Sequence, residues 1–201
     1  MIHSSYVSNY DKFPEVVVAG HEGAACAGWH EIARRLQAAA DGQGGARVVL
    51  VIDCYHGVDQ DELRSQLLAR LGPHTLIEVE QARLPEPKVL AMLDRFITDD
   101  RVFGVLAPHK MAEFFDPAAL ASLQRQVAEI TGGLVVVMGS GASLVAEGDV
   151  RVYADLARWE IQQRLRRKEI GNWGAGNEEE DILRRYKRAF FIEFEFLPQF
   201  H

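Results

Sequence analysis

Residues 14–36 read PEVVVAGHEGAACAGWHEIARRL. A short apolar, β-branched run is followed by a glycine-rich loop and then by a helical pattern. Gly23 and Gly28 are separated by four residues, the spacing of the GxxxxGK(S/T) loop that cradles phosphates between a strand and a helix. Where that motif has lysine and a hydroxyl residue, the chain has Trp29 and His30. The lysine would reach the β/γ-phosphates and the hydroxyl would hold Mg²⁺, so their loss removes the groups that act on a phosphoryl group. Backbone N–H groups at a helix start can still hold an anion, although Glu22 in the loop opposes one. The stretch predicts a buried strand over 15–19, an anion loop through Gly20, Gly23 and Gly28, and a helix over 29–40. Trp29, Ile32, Ala33 and Leu36 share one face of that helix.

The same alternation continues outward. Residues 47–53, RVVLVID, form a second apolar β-branched run, and residues 59–71 predict a helix stopped by Gly72 and Pro73. A short strand is expected over 76–79, a helix over 88–97 and a strand over 102–106. A helix over 117–131 starts with Asp116 as N-cap and Pro117 at its first position, a favoured pairing. LVVVM (134–138) and 150–154 complete the strands, and 157–169 and 179–187 read as helices. The end, AFFIEFEFLPQF, alternates Phe with Glu like an edge strand covered on one face. Continuous apolar strands between amphipathic helices imply a three-layer α/β sandwich with a mainly parallel sheet. The division expected is one domain over 1–188 and a C-terminal strand or extension over 189–201. GNWGAGNEEED (171–181) reads as a mobile loop with Trp173 exposed.

Composition narrows the function classes. A net charge of -7 over 201 residues argues against a nucleic-acid binder, which needs clustered Lys and Arg. No stretch approaches the ~20 apolar residues of a membrane span. The first residues, MIHSSYVSNYDKF, lack the layout of a signal peptide, so the expected location is cytoplasmic, with Cys26 and Cys54 as reduced thiols. Two cysteines and seven histidines give no CxxC, HxH or HExxH, so no metal site is assigned.

Candidate site residues cluster where strands end. Asp53 closes the second run and can accept a proton from a substrate hydroxyl, or simply cap a turn before Gly57. In GSGAS, Gly139, Ser140 and Gly141 permit close approach of a ligand to backbone. After Asp155 come Arg158, Arg164 and Arg167, placed either to clamp phosphates or to pair with Glu160 and Glu169 on a solvated face. His109 is a minor candidate.

Taken in order, these pieces resemble the core of P-loop nucleoside kinases of the uridine-kinase type. In that family the phosphate loop follows strand one, an acidic residue follows strand two, and an Arg-rich lid helix follows a late strand carrying an Asp. A closer resemblance covers nearly the whole chain. It rests on SNYDKFP, the Gly28–Trp29 pair, IDCYHGVDQDEL, FITDDRVFG, GSGASLVAEGDVRVYADLARWEIQQR and EEEDILRRYKRAFFIEFEF. The chain is similar to the kinase-like domain that precedes the zinc cupin in long bacterial class I mannose-6-phosphate isomerases. That resemblance implies a P-loop-kinase-like fold with a degenerate phosphate loop and a link to sugar-phosphate metabolism. It does not carry isomerase activity, which belongs to the cupin. Three readings follow. The first is a domain that binds a phosphorylated metabolite or a partner. The second is an atypical phosphotransferase using lid arginines and a nucleotide with Mg²⁺. The third is a docking domain for a cupin isomerase or for a homodimer.

Overall fold

The run Arg47–Cys54 becomes β1, one of the two inner strands of the sheet. The computed structural model describes residues 10, 11 and 13–196. In it β2 (His74–Glu78), β3 (Gly133–Gly139) and β4 (Val150–Ala154) join β1 in the order β2-β3-β1-β4, and every pair is parallel. The register sets Asp53 opposite Gly139 on one side and Tyr153 on the other. Parallel strands need crossover connections and are covered on both faces, which is why RVVLVID and LVVVM show no polar alternation.

Two helical layers bury those faces. Helix α1 (Trp29–Asp41) and helix α2 cover one of them. Helix α2 starts at Gln60–Glu62 and runs on through a π-type turn, Leu63–Leu67, and a 3₁₀ turn, Leu68–Arg70. Leu50, Ile52, Cys54, Val136 and Met138 pack there on Ala33, Leu63, Leu67 and Leu68. The opposite side chains of the same strands, Val49, Val51, Val135 and Val137, meet the second layer. That layer contains α3 (Glu86–Ile97), α4 (Pro117–Glu129), α5 (Arg158–Arg166) and α6 (Ile182–Arg188). The result is a three-layer α/β sandwich on a wholly parallel sheet. Asp116 caps α4 as its sequence predicts, accepting the N–H groups of Ala118 and Ala119 at 2.9 Å each.

Four local expectations are corrected. Residues 15–19 form no strand. Val16 and Val17 stand 83% and 86% exposed; none of the four strands pairs with this run, and β-branched residues form strands only where a neighbour pairs with them. Residues 102–106 are also not a strand: they turn back from α3, with the Asp100 carboxylate accepting the N–H groups of Val102 and Phe103. The AFFIEFEF run is helical. It continues α6 through a π-type turn, Ala189–Glu193, into Phe194–Phe196, and it buries Ala189, Ile192 and Glu193 at helical spacing. Residues 189–196 therefore belong to the main core, and 197–201 lie outside the described residues. Finally, the 171–181 loop is packed: Trp173 is 8% exposed, while Trp159 on α5 is 66% exposed.

Among the described residues no helix is long and apolar enough to cross a membrane. Ile52, fully buried at the centre of β1, tests the layer assignment. Ile52→Ala is expected to lower the unfolding free energy by about 2–5 kcal/mol. Val102→Ala, on the exposed turn, should change it by less than about 0.5 kcal/mol. Urea titration checks both.

Candidate functional site

Ligand-binding loops of open parallel sheets lie beyond the carboxyl ends of the strands. At that end β1 finishes with Asp53, which is buried. One carboxylate oxygen, Oδ1, accepts the N–H groups of Gly141 at 2.8 Å and Ala142 at 3.2 Å, and Oδ2 accepts that of Ser143 at 3.0 Å. These are the donors at the start of the 3₁₀ turn Ala142–Leu144, groups that have no partner within the turn itself. Glu80, two residues beyond β2, takes the next donor. Its Oε1 accepts Ser140 N–H at 3.1 Å and the Gln60 amide at 2.7 Å. A Cβ on Gly139 would lie 2.1 Å from Glu80 Oε2, and Gly139 sits at φ 128°, so only glycine admits that carboxylate. The GSGAS loop is thus a backbone anion nest whose occupants are two carboxylates of the protein. Burial pushes the Asp53 carboxyl above the ordinary aspartate range, and the Ser143 hydroxyl and the three amides pull it back. Next to it, the Cys54 thiol is pushed up to about 12, by burial first and then by the charges of Glu80 and Asp53. Cys54 is therefore an un-ionised, unreactive thiol.

The loop that follows β1, residues 55–59, lies under α5. A Cβ on Gly57 (φ 81°) would come within 3.2–3.3 Å of the side chains of Ile161, Ile170 and Leu156. Arg164 Nη1 donates to the Gly57 carbonyl at 2.9 Å, and its Nε faces Glu160 at 3.4 Å. Arg167 pairs with Glu160 at 2.9 Å and with Glu169 at 2.5 Å. Arg158 donates to the Phe194 carbonyl at 3.2 Å, with its guanidinium 4.9 Å from the Phe194 ring centre. The three candidate arginines are all engaged by the protein itself.

The Gly20–Gly28 loop follows no strand. Arg35 of α1 donates to the carbonyls of Ala24 at 2.8 Å and Gly23 at 3.1 Å, and Glu22 accepts the Gly20 N–H at 3.3 Å. The loop turns carbonyls toward Arg35 and the Gly20 amide toward its own Glu22. The structure does bring Trp29, Asp155 and Arg164 together. They line a cleft of about 360 Å³ with Asp59, Glu62 and Val152. A second cleft, about 550 Å³, shares Val58, Asp59 and Arg164 with it and adds Gln60, Asp61, Arg64 and Glu169. Gly20 and Gly23 line neither. His109 pairs with Glu113 at 2.9 Å, away from these clefts. Among the described residues no group of three or more His, Cys, Asp or Glu is placed to hold a metal ion.

A buried polar network behind the loop escaped the sequence reading. His56 and Glu193, 3% and 1% exposed, approach within 3.4 Å. Glu193 also accepts Arg188 Nε and Asn172 Nδ2, each at 3.0 Å, and Trp173 N–H at 3.1 Å. Arg188 closes the circuit by donating to the Trp173 carbonyl at 2.9 Å. The signal was present in the sequence: Glu193, the first of two Glu in the apolar run and five residues after Arg188, falls on the buried face beside Ile192 once the run is read as helix.

Fold and site define a parallel α/β domain whose loop donors at the sheet's carboxyl end are satisfied internally. Over residues 28–200 the chain matches the family model described as Domain of unknown function (DUF8485), and it belongs to that family. The match begins at the residue before α1, so it contains the whole sheet. No curated protein and no solved structure matches the chain.

Two stability measurements follow. Asp53→Ala strands two buried amides, those of Gly141 and Ala142, and the part-buried amide of Ser143, and should cost on the order of 3 kcal/mol in chemical denaturation. His56 carries a pH signature. Burial, the largest effect, pushes its pKa below the ordinary 6.5; the Glu193 charge opposes this and the Arg188 charge adds to it. The folded state therefore excludes a proton that the unfolded chain binds, so stability is full above about pH 6.5 and is lost as pH falls below it. The expected slope steepens as pH falls and approaches about 1.4 kcal/mol per pH unit roughly one unit below that point, and it should flatten in His56→Gln.

Proposed function

We propose that this chain is a degenerate kinase-like domain that acts in sugar-phosphate metabolism by binding a protein partner, and that it neither transfers phosphate nor holds one at its loops. The observation that carries this reading is the filled anion nest: the amides of Ser140, Gly141, Ala142 and Ser143 already serve Glu80 and Asp53.

The kinase-like layout finds support once the strands are counted from β1. The loop after strand one is then 55–59, with one glycine and no lysine. The acid after strand two is Glu80. The Arg-rich helix after the late strand is α5, which follows β4 and Asp155. Each part has its resemblance counterpart, and the charged groups of each are engaged by the protein itself. The lid helix rests on Gly57 through Ile161, with Leu156 just before it, and its Arg164 is bonded to the Gly57 carbonyl. A phosphotransferase needs that space for phosphates and that arginine for their charge. The partner reading, with a cupin-type isomerase as the partner class the resemblance implies, needs neither.

Calorimetry tests the ligand side. Mannose 6-phosphate, fructose 6-phosphate and ATP with Mg²⁺ are expected to give no saturable heat at millimolar concentration, and no nucleotide turnover should be detectable. Saturable binding that disappears in Arg164→Ala would overturn the reading and restore a phosphate site under the lid.

A further inference from the structure

β4 ends the sheet, and among the described residues no strand pairs with its outer side. An open edge is a template for another extended chain unless proline, charge or a bulge blunts it. β4 reads Val-Arg-Val-Tyr-Ala, with no proline and one charge. Val150, Val152 and Ala154 pack toward α1, and Tyr153 stands exposed on the other face. The edge is therefore mostly apolar, with Arg151 as its one charge and no proline in it.

The same chain carries a segment with the complementary property. Glu15–Ala19 is as long as β4, and its Val16, Val17 and Val18 are 83%, 86% and 60% exposed. A run of three exposed valines buries nothing in one molecule, which is costly unless something covers it. Its root is fixed: Arg35 pins the carbonyls of Gly23 and Ala24 to α1. Helix α1 in turn begins with Trp29, beside Val152 and Ala154 of β4. A strand donor thus stands anchored on the helix that flanks the vacant edge, yet it does not lie on that edge. The donor carries one acid, Glu15, and the edge one base, Arg151, so the two segments carry charges of opposite sign.

We infer that residues 15–19 of a second copy of this chain pair with the outer edge of β4, each copy donating its strand to the other. Such an exchange adds a fifth strand to each sheet by main-chain hydrogen bonding and closes as a two-fold dimer that leaves no free edge of this kind. The inference stands on the edge and the exposed run alone, so it is independent of the filled anion nest.

Light scattering on the full chain, from about 1 to 100 µM, reads the result directly. The expected mass is twice the 22.5 kDa of one chain at the upper end. Val17→Pro removes a ladder N–H from a segment that contributes nothing to the fold of one copy. It should weaken the dimer at least tenfold while leaving the circular dichroism spectrum unchanged. A wild-type chain that stays monomeric at 100 µM would overturn the inference, as would a dimer that persists in Val17→Pro. Slow amide exchange at Val16–Val18 in a monomer would also overturn it, because the run would then cover the edge of its own sheet.

Discussion

The carboxylate of Asp53 organises the carboxyl end of the sheet. It leaves β1 and meets three successive amides of the loop leaving β3, so the two inner strands are tied together at the point where their chains diverge. A buried carboxylate is tolerated only when its lone pairs are met, and these amides meet them. Glu80 extends the same arrangement toward β2 through Ser140, and the bare Cα of Gly139 makes room for it. Three of the four strand ends are thereby joined by side-chain carboxylates on backbone donors. In a nucleotide-binding domain, donors of this kind wait for a phosphate. Here the protein supplies the anion.

The second constraint lies behind the loop after β1. Glu193 receives Arg188, Asn172 and the Trp173 amide and faces His56, which links that loop to the 171–181 loop and to the final helix. Breaking such a buried network exposes uncompensated polar groups, so its members move together or not at all. With α5 seated on Gly57 and Arg164 bonded to its carbonyl, α5 and the loop after β1 are held in a single arrangement. Burial of the network follows from the helical course of residues 182–196, which turns Glu193 inward with Ile192.

Much of the fold was legible in the sequence. Uninterrupted runs such as RVVLVID and LVVVM announce strands buried on both faces, and Asp116–Pro117 announces a helix start. What misled was the run at 15–19. Three valines before a glycine loop have the local signature of a first strand, but a strand forms only against a neighbour that pairs with it, and none of the four strands pairs with this run. Everything attached to that run moved with it, including the expected phosphate loop at Gly20, Gly23 and Gly28. The FFIEFEF run misled in the opposite sense. Its period of two is imposed by the two Glu residues, one of which is a core member of the ion network. The candidate residues Asp53, Gly139, Ser140 and Gly141 were recognised as a group from their strand-end positions. That they satisfy one another was not readable, because it depends on the pairing of β1 with β3.

The central claim is that the loop amides are occupied by the protein's own carboxylates. Amide resonances of Gly141, Ala142 and Ser143, followed by NMR during titration with inorganic phosphate, test it most directly. The account predicts slow hydrogen exchange at all three in the free protein and no chemical-shift change up to tens of millimolar phosphate. Exchange at the solvent rate in the free protein, together with saturable shifts on adding phosphate, would contradict it.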